Sequence, residues 1–126
     1  METSGRVPRR VLVVDDDPLV VDSIRRMLVF QGYRVETARN GQEALALFSE
    51  SGFDLTLLDY QMPGMKGDQL ATAIKSLVPS QPVIMFTGYG EAVQSAGARS
   101  EAVDAVLGKP FDLEQLRQTL ARLLPQ

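Results

Sequence analysis

The chain has 126 residues and a mass of 13.8 kDa, a length that fits one compact domain with no room for a second. Hydrophobic residues make up 44% and charged residues 23%, the balance of an ordinary globular domain and not that of a disordered or collagen-like chain. Thirteen lysines and arginines against sixteen acids give a net charge of -3, which disfavours direct nucleic-acid binding because that needs a basic footprint to displace counterions.

A polar tail, residues 1–9, carries Gly5 and Pro8 and has no apolar stretch of the signal-peptide kind. No later apolar run approaches the roughly 18 residues that span a bilayer, so the expectation is a cytoplasmic protein without a membrane partner. Val11-Leu12-Val13-Val14 is the first element, an apolar β-branched run typical of a strand buried on both faces. It stops at Asp15-Asp16-Asp17. Pro18 suits the first position of a helix and Asp17 its N-cap, which predicts a helix to about Phe30 with Val20, Ile24, Met27 and Leu28 inward.

Gly32 ends that helix, Arg34 to Ala38 alternates as a second strand, and Asn40-Gly41 opens a second helix with Ala44, Leu45 and Phe48 inward. Leu55-Thr56-Leu57-Leu58 is a third strand, which also ends in an acid, Asp59. The turn-rich loop Met62-Pro63-Gly64-Met65-Lys66-Gly67 leads to a helix with Leu70, Ile74 and Leu77 at helical spacing. Val83-Ile84-Met85-Phe86 is a fourth strand, stopped by Thr87-Gly88. The segment from Gly88 to Gly97 is a weak helix, glycine-rich and with Val93 as its only sizeable apolar residue. Ala105-Val106-Leu107 forms a short fifth strand running into Gly108-Lys109-Pro110-Phe111. Asp112 caps a last helix striped by Leu113, Leu116, Leu120 and Leu123.

Regular alternation of strand and helix calls for an α/β fold, a doubly wound five-stranded parallel sheet with helices on both faces and right-handed crossovers. In such sheets ligands bind beyond the carboxyl ends of the strands. Those ends carry Asp15 and Asp16, then Asp59, then Thr87, then Lys109, while the second strand ends in Arg39-Asn40. The chain has neither cysteine nor histidine, which removes disulfides, Cys or His nucleophiles, imidazole bases and zinc-finger sites. Carboxylates, hydroxyls and lysines are left. Three carboxylates converging on one edge repel, and a small hard cation with oxygen ligands, Mg²⁺, is the natural remedy. A hydroxyl and an ammonium facing the same point have an anion to hold. Together these are the parts for phosphoryl transfer, with Asp59 as candidate nucleophile.

With these residues in view, Val11 to Asp17, Asp54 to Gly64, Val83 to Gly88 and Gly108-Lys109-Pro110-Phe111 resemble the receiver domain of response regulators in bacterial two-component signalling. The resemblance runs from Arg10 to about Leu124 and treats residues 10–126 as a single domain. It implies the flavodoxin-like strand order 2-1-3-4-5, Asp59 as phospho-acceptor, Asp16 as direct Mg²⁺ ligand, Asp15 as a ligand mainly through water, and a ligating backbone carbonyl from Gln61. It further implies that the Thr87 hydroxyl moves onto the phosphoryl oxygen, that Lys109 is its countercharge, and that Lys109-Pro110 is cis. The donor would be a phosphohistidine on a sensor histidine kinase or histidine phosphotransfer protein, since this chain has no histidine of its own. The chemistry implied is phosphotransfer and autodephosphorylation within a signalling domain, not turnover of a substrate.

Two departures from the family pattern bear on function. Val106 stands where many receivers have an aromatic that swings inward, which shifts the expected response onto Thr87 and the segment 88–97. Gln61 and Tyr89 occupy positions that tune dephosphorylation. The start of the first helix and the Pro110-Phe111 loop, with Val20 and Phe111 as apolar candidates, form the expected donor-docking surface. The alternative is a small haloacid-dehalogenase-like phosphohydrolase, but that motif wants Asp-x-Asp followed by Thr or Val two residues on, and Asp15-Asp16-Asp17-Pro18-Leu19 misses it. A flavodoxin is weaker still, because no hydroxyl- and glycine-rich phosphate loop follows the first strand.

Overall fold

Each short apolar run becomes a strand because, with side chains alternating between faces, only a sheet covered on both sides can bury every residue of it. The computed structural model describes residues 8–88, 101–108 and 111–124. Its elements are β1 (Arg10–Val14), α1 (Pro18–Phe30), β2 (Arg34–Ala38), α2 (Gly41–Glu50), β3 (Leu55–Asp59), α3 (Gly67–Leu77), β4 (Val83–Thr87), β5 (Ala105–Gly108) and α4 (Leu113–Leu123). The tail over 1–7, the expected helix around Val93, Tyr89 and the Lys109-Pro110 pair lie outside the described residues.

The five strands are parallel and ordered β2-β1-β3-β4-β5, the order the resemblance implies. Alternate residues of each strand feed two separate cores. Val11, Val13, Leu55, Leu57, Ile84 and Phe86 pack with Ile24 and Leu28 of α1 and Leu116 and Leu120 of α4. On the other face Leu12, Val14, Leu58 and Met85 pack with Ala44 and Phe48 of α2 and Leu70, Ala71 and Ile74 of α3. β1, β3 and β4 are central and buried almost throughout, and this fixes their register.

Local signals set the helix ends. The Asp17 carboxylate accepts from the Leu19 N–H at 2.9 Å, Asn40 Oδ1 from Glu43 N–H at 2.9 Å, and Asp112 Oδ1 from Gln115 N–H at 2.8 Å. At the end of α1, Gly32 takes φ +97° while its N–H donates to the Val29 carbonyl and the Tyr33 N–H to the Leu28 carbonyl, a Schellman closure that a Cβ would strain. Two expectations need correction. Leu77, the last residue of α3, is 59% exposed, and Val78 just beyond it packs against the core instead. At the start of α1, Val20 packs partly buried against the core as its place in the inward stripe predicts, so as an apolar docking candidate it gives way to Leu19, 80% exposed.

Candidate functional site

β1 and β3 are neighbours in register, with Val14 opposite Leu58, so the next residue of each, Asp15 and Asp59, arrives at the same carboxyl edge. Asp15 is 1% exposed: its N–H donates to the Ala38 carbonyl at 3.1 Å and its Oδ1 accepts the Asp17 N–H at 3.0 Å. Asp59 is 4% exposed, whereas Asp16 is open to solvent. One carboxylate oxygen from each of Asp15, Asp16 and Asp59 lies within 4.8 Å of the other two. At that separation two unit charges repel by roughly 3 kcal/mol at an effective dielectric of about 20. Repulsion of that size favours a cation beside the three carboxylates.

The donor set is hard oxygen only and pairs two buried carboxylates with one facing water, which fits a small divalent ion that keeps part of its hydration shell. Beside Asp59 in the sheet stands Phe86, and one residue further along β4 is Thr87, fully buried. The Thr87 hydroxyl has no hydrogen-bond partner among the described residues. Gln61 is exposed two residues after Asp59, and Lys66 Nζ donates to its Oε1 at 3.0 Å. Lys109 lies outside the described residues, so of the expected set Asp15, Asp16, Asp59, Thr87 and Gln61 are placed at this edge.

Two groups around the acids were not legible in advance. Tyr60 follows Asp59 and is held from both sides: its N–H donates to the Phe86 carbonyl at 3.0 Å and its carbonyl accepts the Gly67 N–H at 2.9 Å. Gly67 opens α3 so close to this loop that a Cβ there would stand 2.5 Å from the Asp59 carbonyl oxygen and 2.8 Å from Tyr60 Cα. On the other flank a crevice of about 570 Å³ opens between α1 and the end of β2, lined by Asp15, Asp16, Val21, Asp22, Arg25 and Arg39 among others. Asp22 there accepts from Arg25 at 2.7 Å and pairs with Arg26 at 2.9 Å; the Arg25 hydrogen bond above all holds its carboxyl below the ordinary range.

Comparison with known proteins identifies the family. The response regulator receiver domain model matches residues 11–121. The response regulator MprA of Mycolicibacterium vanbaalenii is 36% identical over 118 residues, which are 94% of this chain and 51% of that protein, so the chain spans about half the length of the curated relatives it matches. Among solved structures, the chemotaxis response regulator CheY4 of Vibrio cholerae superposes with a TM-score of 0.85 at 32% identity, covering 94% of this chain and 100% of that one. The response regulator TrrA of Thermotoga maritima, solved in complex with Mg²⁺-BeF, superposes at 0.84 with 33% identity, over 92% of this chain and 99% of that one. No support for the phosphohydrolase alternative comes from these matches. With the sheet order, the acidic edge and a family match over most of its length, the chain belongs to the response regulator receiver domains of two-component signalling systems.

Proposed function

We propose that this domain takes a phosphoryl group onto Asp59 in a Mg²⁺-dependent reaction, from a phosphohistidine on a sensor kinase or phosphotransfer protein in the cytoplasm, and so switches a partner. The observation that carries the reading is the convergence of the Asp15, Asp16 and Asp59 carboxylates next to a buried Thr87 hydroxyl that has no partner among the described residues. Asp16 and Asp59 would hold the ion directly, Asp15 mainly through water, and Gln61 by its backbone carbonyl. Bound there, Mg²⁺ offsets the charge of the acids and of the incoming phosphoryl oxygens.

A carboxylate oxygen of Asp59 attacks phosphorus; the O–P bond forms as the P–N bond to the donor imidazole breaks, and the bonding pair stays on that nitrogen. Asp59 is suited to this because it ends a buried strand, which holds its backbone at the edge. Thr87 then gains an acceptor. A buried hydroxyl without one costs on the order of 1–3 kcal/mol, so closing onto a phosphoryl oxygen supplies a driving force for rearrangement at the end of β4. Lys109 is the countercharge in this reading. Leu19, exposed at the start of α1 beside the acids, and Phe111, partly buried, are the apolar contacts for the donor.

Incubation with Mg²⁺ and acetyl phosphate, read by intact mass, tests the proposal. One added phosphoryl group is expected in the wild type and none in Asp59→Ala. Gain of that mass by Asp59→Ala at the wild-type rate would overturn the assignment.

A further inference from the structure

Gly67 is the first residue of α3, and the described glycines with positive φ are Gly32 and Gly64 alone. Backbone conformation therefore does not require glycine at 67, and alanine is the better helix former. Space does require it. A Cβ at 67 would meet the Asp59 carbonyl oxygen at 2.5 Å, Tyr60 Cα at 2.8 Å and Asp59 C at 3.2 Å, all main-chain atoms that no rotamer change can remove. The same approach lets the Gly67 N–H reach the Tyr60 carbonyl, while the Tyr60 N–H is taken by the Phe86 carbonyl of β4. Tyr60 is thus pinned between β4, through its N–H on the Asp59–Tyr60 peptide, and the first turn of α3, through its carbonyl on the next peptide, while α3 abuts the Asp59 carbonyl.

That pinning acts on the residue whose carboxylate is brought within 4.8 Å of Asp15 and Asp16 against their mutual repulsion. We infer that Gly67 is a positioning residue: by letting α3 close on the Asp59–Tyr60 peptide it fixes the direction of the Asp59 carboxylate toward Asp15 and Asp16 before any cation binds. The inference rests on the function proposed above. Gly41 provides the contrast, since the three atoms nearest a Cβ there all belong to the Met65 side chain, with the sulfur nearest at 2.7 Å. Both glycines adjoin the same loop, but Gly67 abuts the main chain of the acceptor whereas Gly41 abuts a flexible side chain.

The test is the rise in melting temperature with Mg²⁺ concentration for the wild type, Gly67→Ala and Gly41→Ala, which gives an apparent Mg²⁺ affinity separately from metal-free stability. Gly67→Ala is expected to bind Mg²⁺ about tenfold or more weakly, while Gly41→Ala keeps the wild-type affinity even if its metal-free melting point falls. Wild-type affinity in Gly67→Ala would overturn the inference and leave the proposed function standing. Absence of any Mg²⁺ response in the wild type would remove the proposed function and the inference with it. Should Gly67→Ala not fold, amide exchange of the metal-free wild type decides: protected Gly67 and Tyr60 amides are expected, and exchange as fast as in an open loop would overturn it.

Discussion

At the scale of single residues, two buried threonines separate structure from function. The hydroxyls of Thr56 and Thr87 are both fully buried and lack a partner among the described residues. Thr56 lies within β3, where nothing in the proposed chemistry calls on it. Thr56→Val is expected to raise stability by about 1 kcal/mol with phosphorylation unchanged, because a methyl group replaces an unsatisfied hydroxyl. Thr87→Val should be similarly stable yet lose the change in amide exchange that phosphorylation produces in the wild type. Urea unfolding and exchange before and after phosphorylation check both, and an unaltered response in Thr87→Val would contradict the role given to Thr87. The acids at 15, 16 and 59 were legible in the sequence because each interrupts an apolar run. Gly67 was not, since a glycine in a loop rich in Pro and Gly reads as a turn residue, and its steric reason exists only once α3 lies against β3.

At the scale of elements, caps were legible and depth was not. Asp17 and Asp112 each accept a backbone N–H as expected of caps, and Asn40 does the same for α2, because capping is decided by three or four consecutive residues. Leu77 repeats the helical spacing of Leu70 and Ile74 but ends exposed, since periodicity gives the direction of a side chain and not whether the sheet extends beneath it. Val20 packs inward as its spacing predicts, which leaves Leu19 as the exposed apolar residue at the start of α1. The start of α2 carries a pH prediction. The Arg39 N–H donates to Glu43 Oε1 at 2.9 Å and the Arg39 side chain pairs with Oε2, and that backbone bond first, then the side chain, lowers the Glu43 carboxyl below its usual 4.5. A carboxyl lowered on folding contributes stability that is present above its unfolded value and lost as pH falls through the folded one. Amide protection in the first turn of α2, taken relative to the intrinsic exchange rate at each pH, should therefore fall as pH drops below 4.5, and an unchanged profile in Glu43→Gln would contradict this.

For the whole molecule, strand order and site are one fact. Placing β1 between β2 and β3 reverses the direction of winding, so α1 and α4 cover one face, α2 and α3 the other, and the carboxyl ends of β1 and β3 meet at the crevice between them. Alternating strand and helix patterns made the parallel sheet legible. The particular order came from the resemblance, because periodicity alone does not say which strands are neighbours. Three buried central strands keep this frame fixed while charge is added at one edge. The central claim is that the added charge sits on Asp59. Reduction of the phosphorylated protein with borohydride, which converts an acyl phosphate to an alcohol, followed by peptide mapping, locates it directly. The account predicts conversion of aspartate to homoserine at position 59 alone, dependent on Mg²⁺; conversion at Asp15 or Asp16 instead would contradict it.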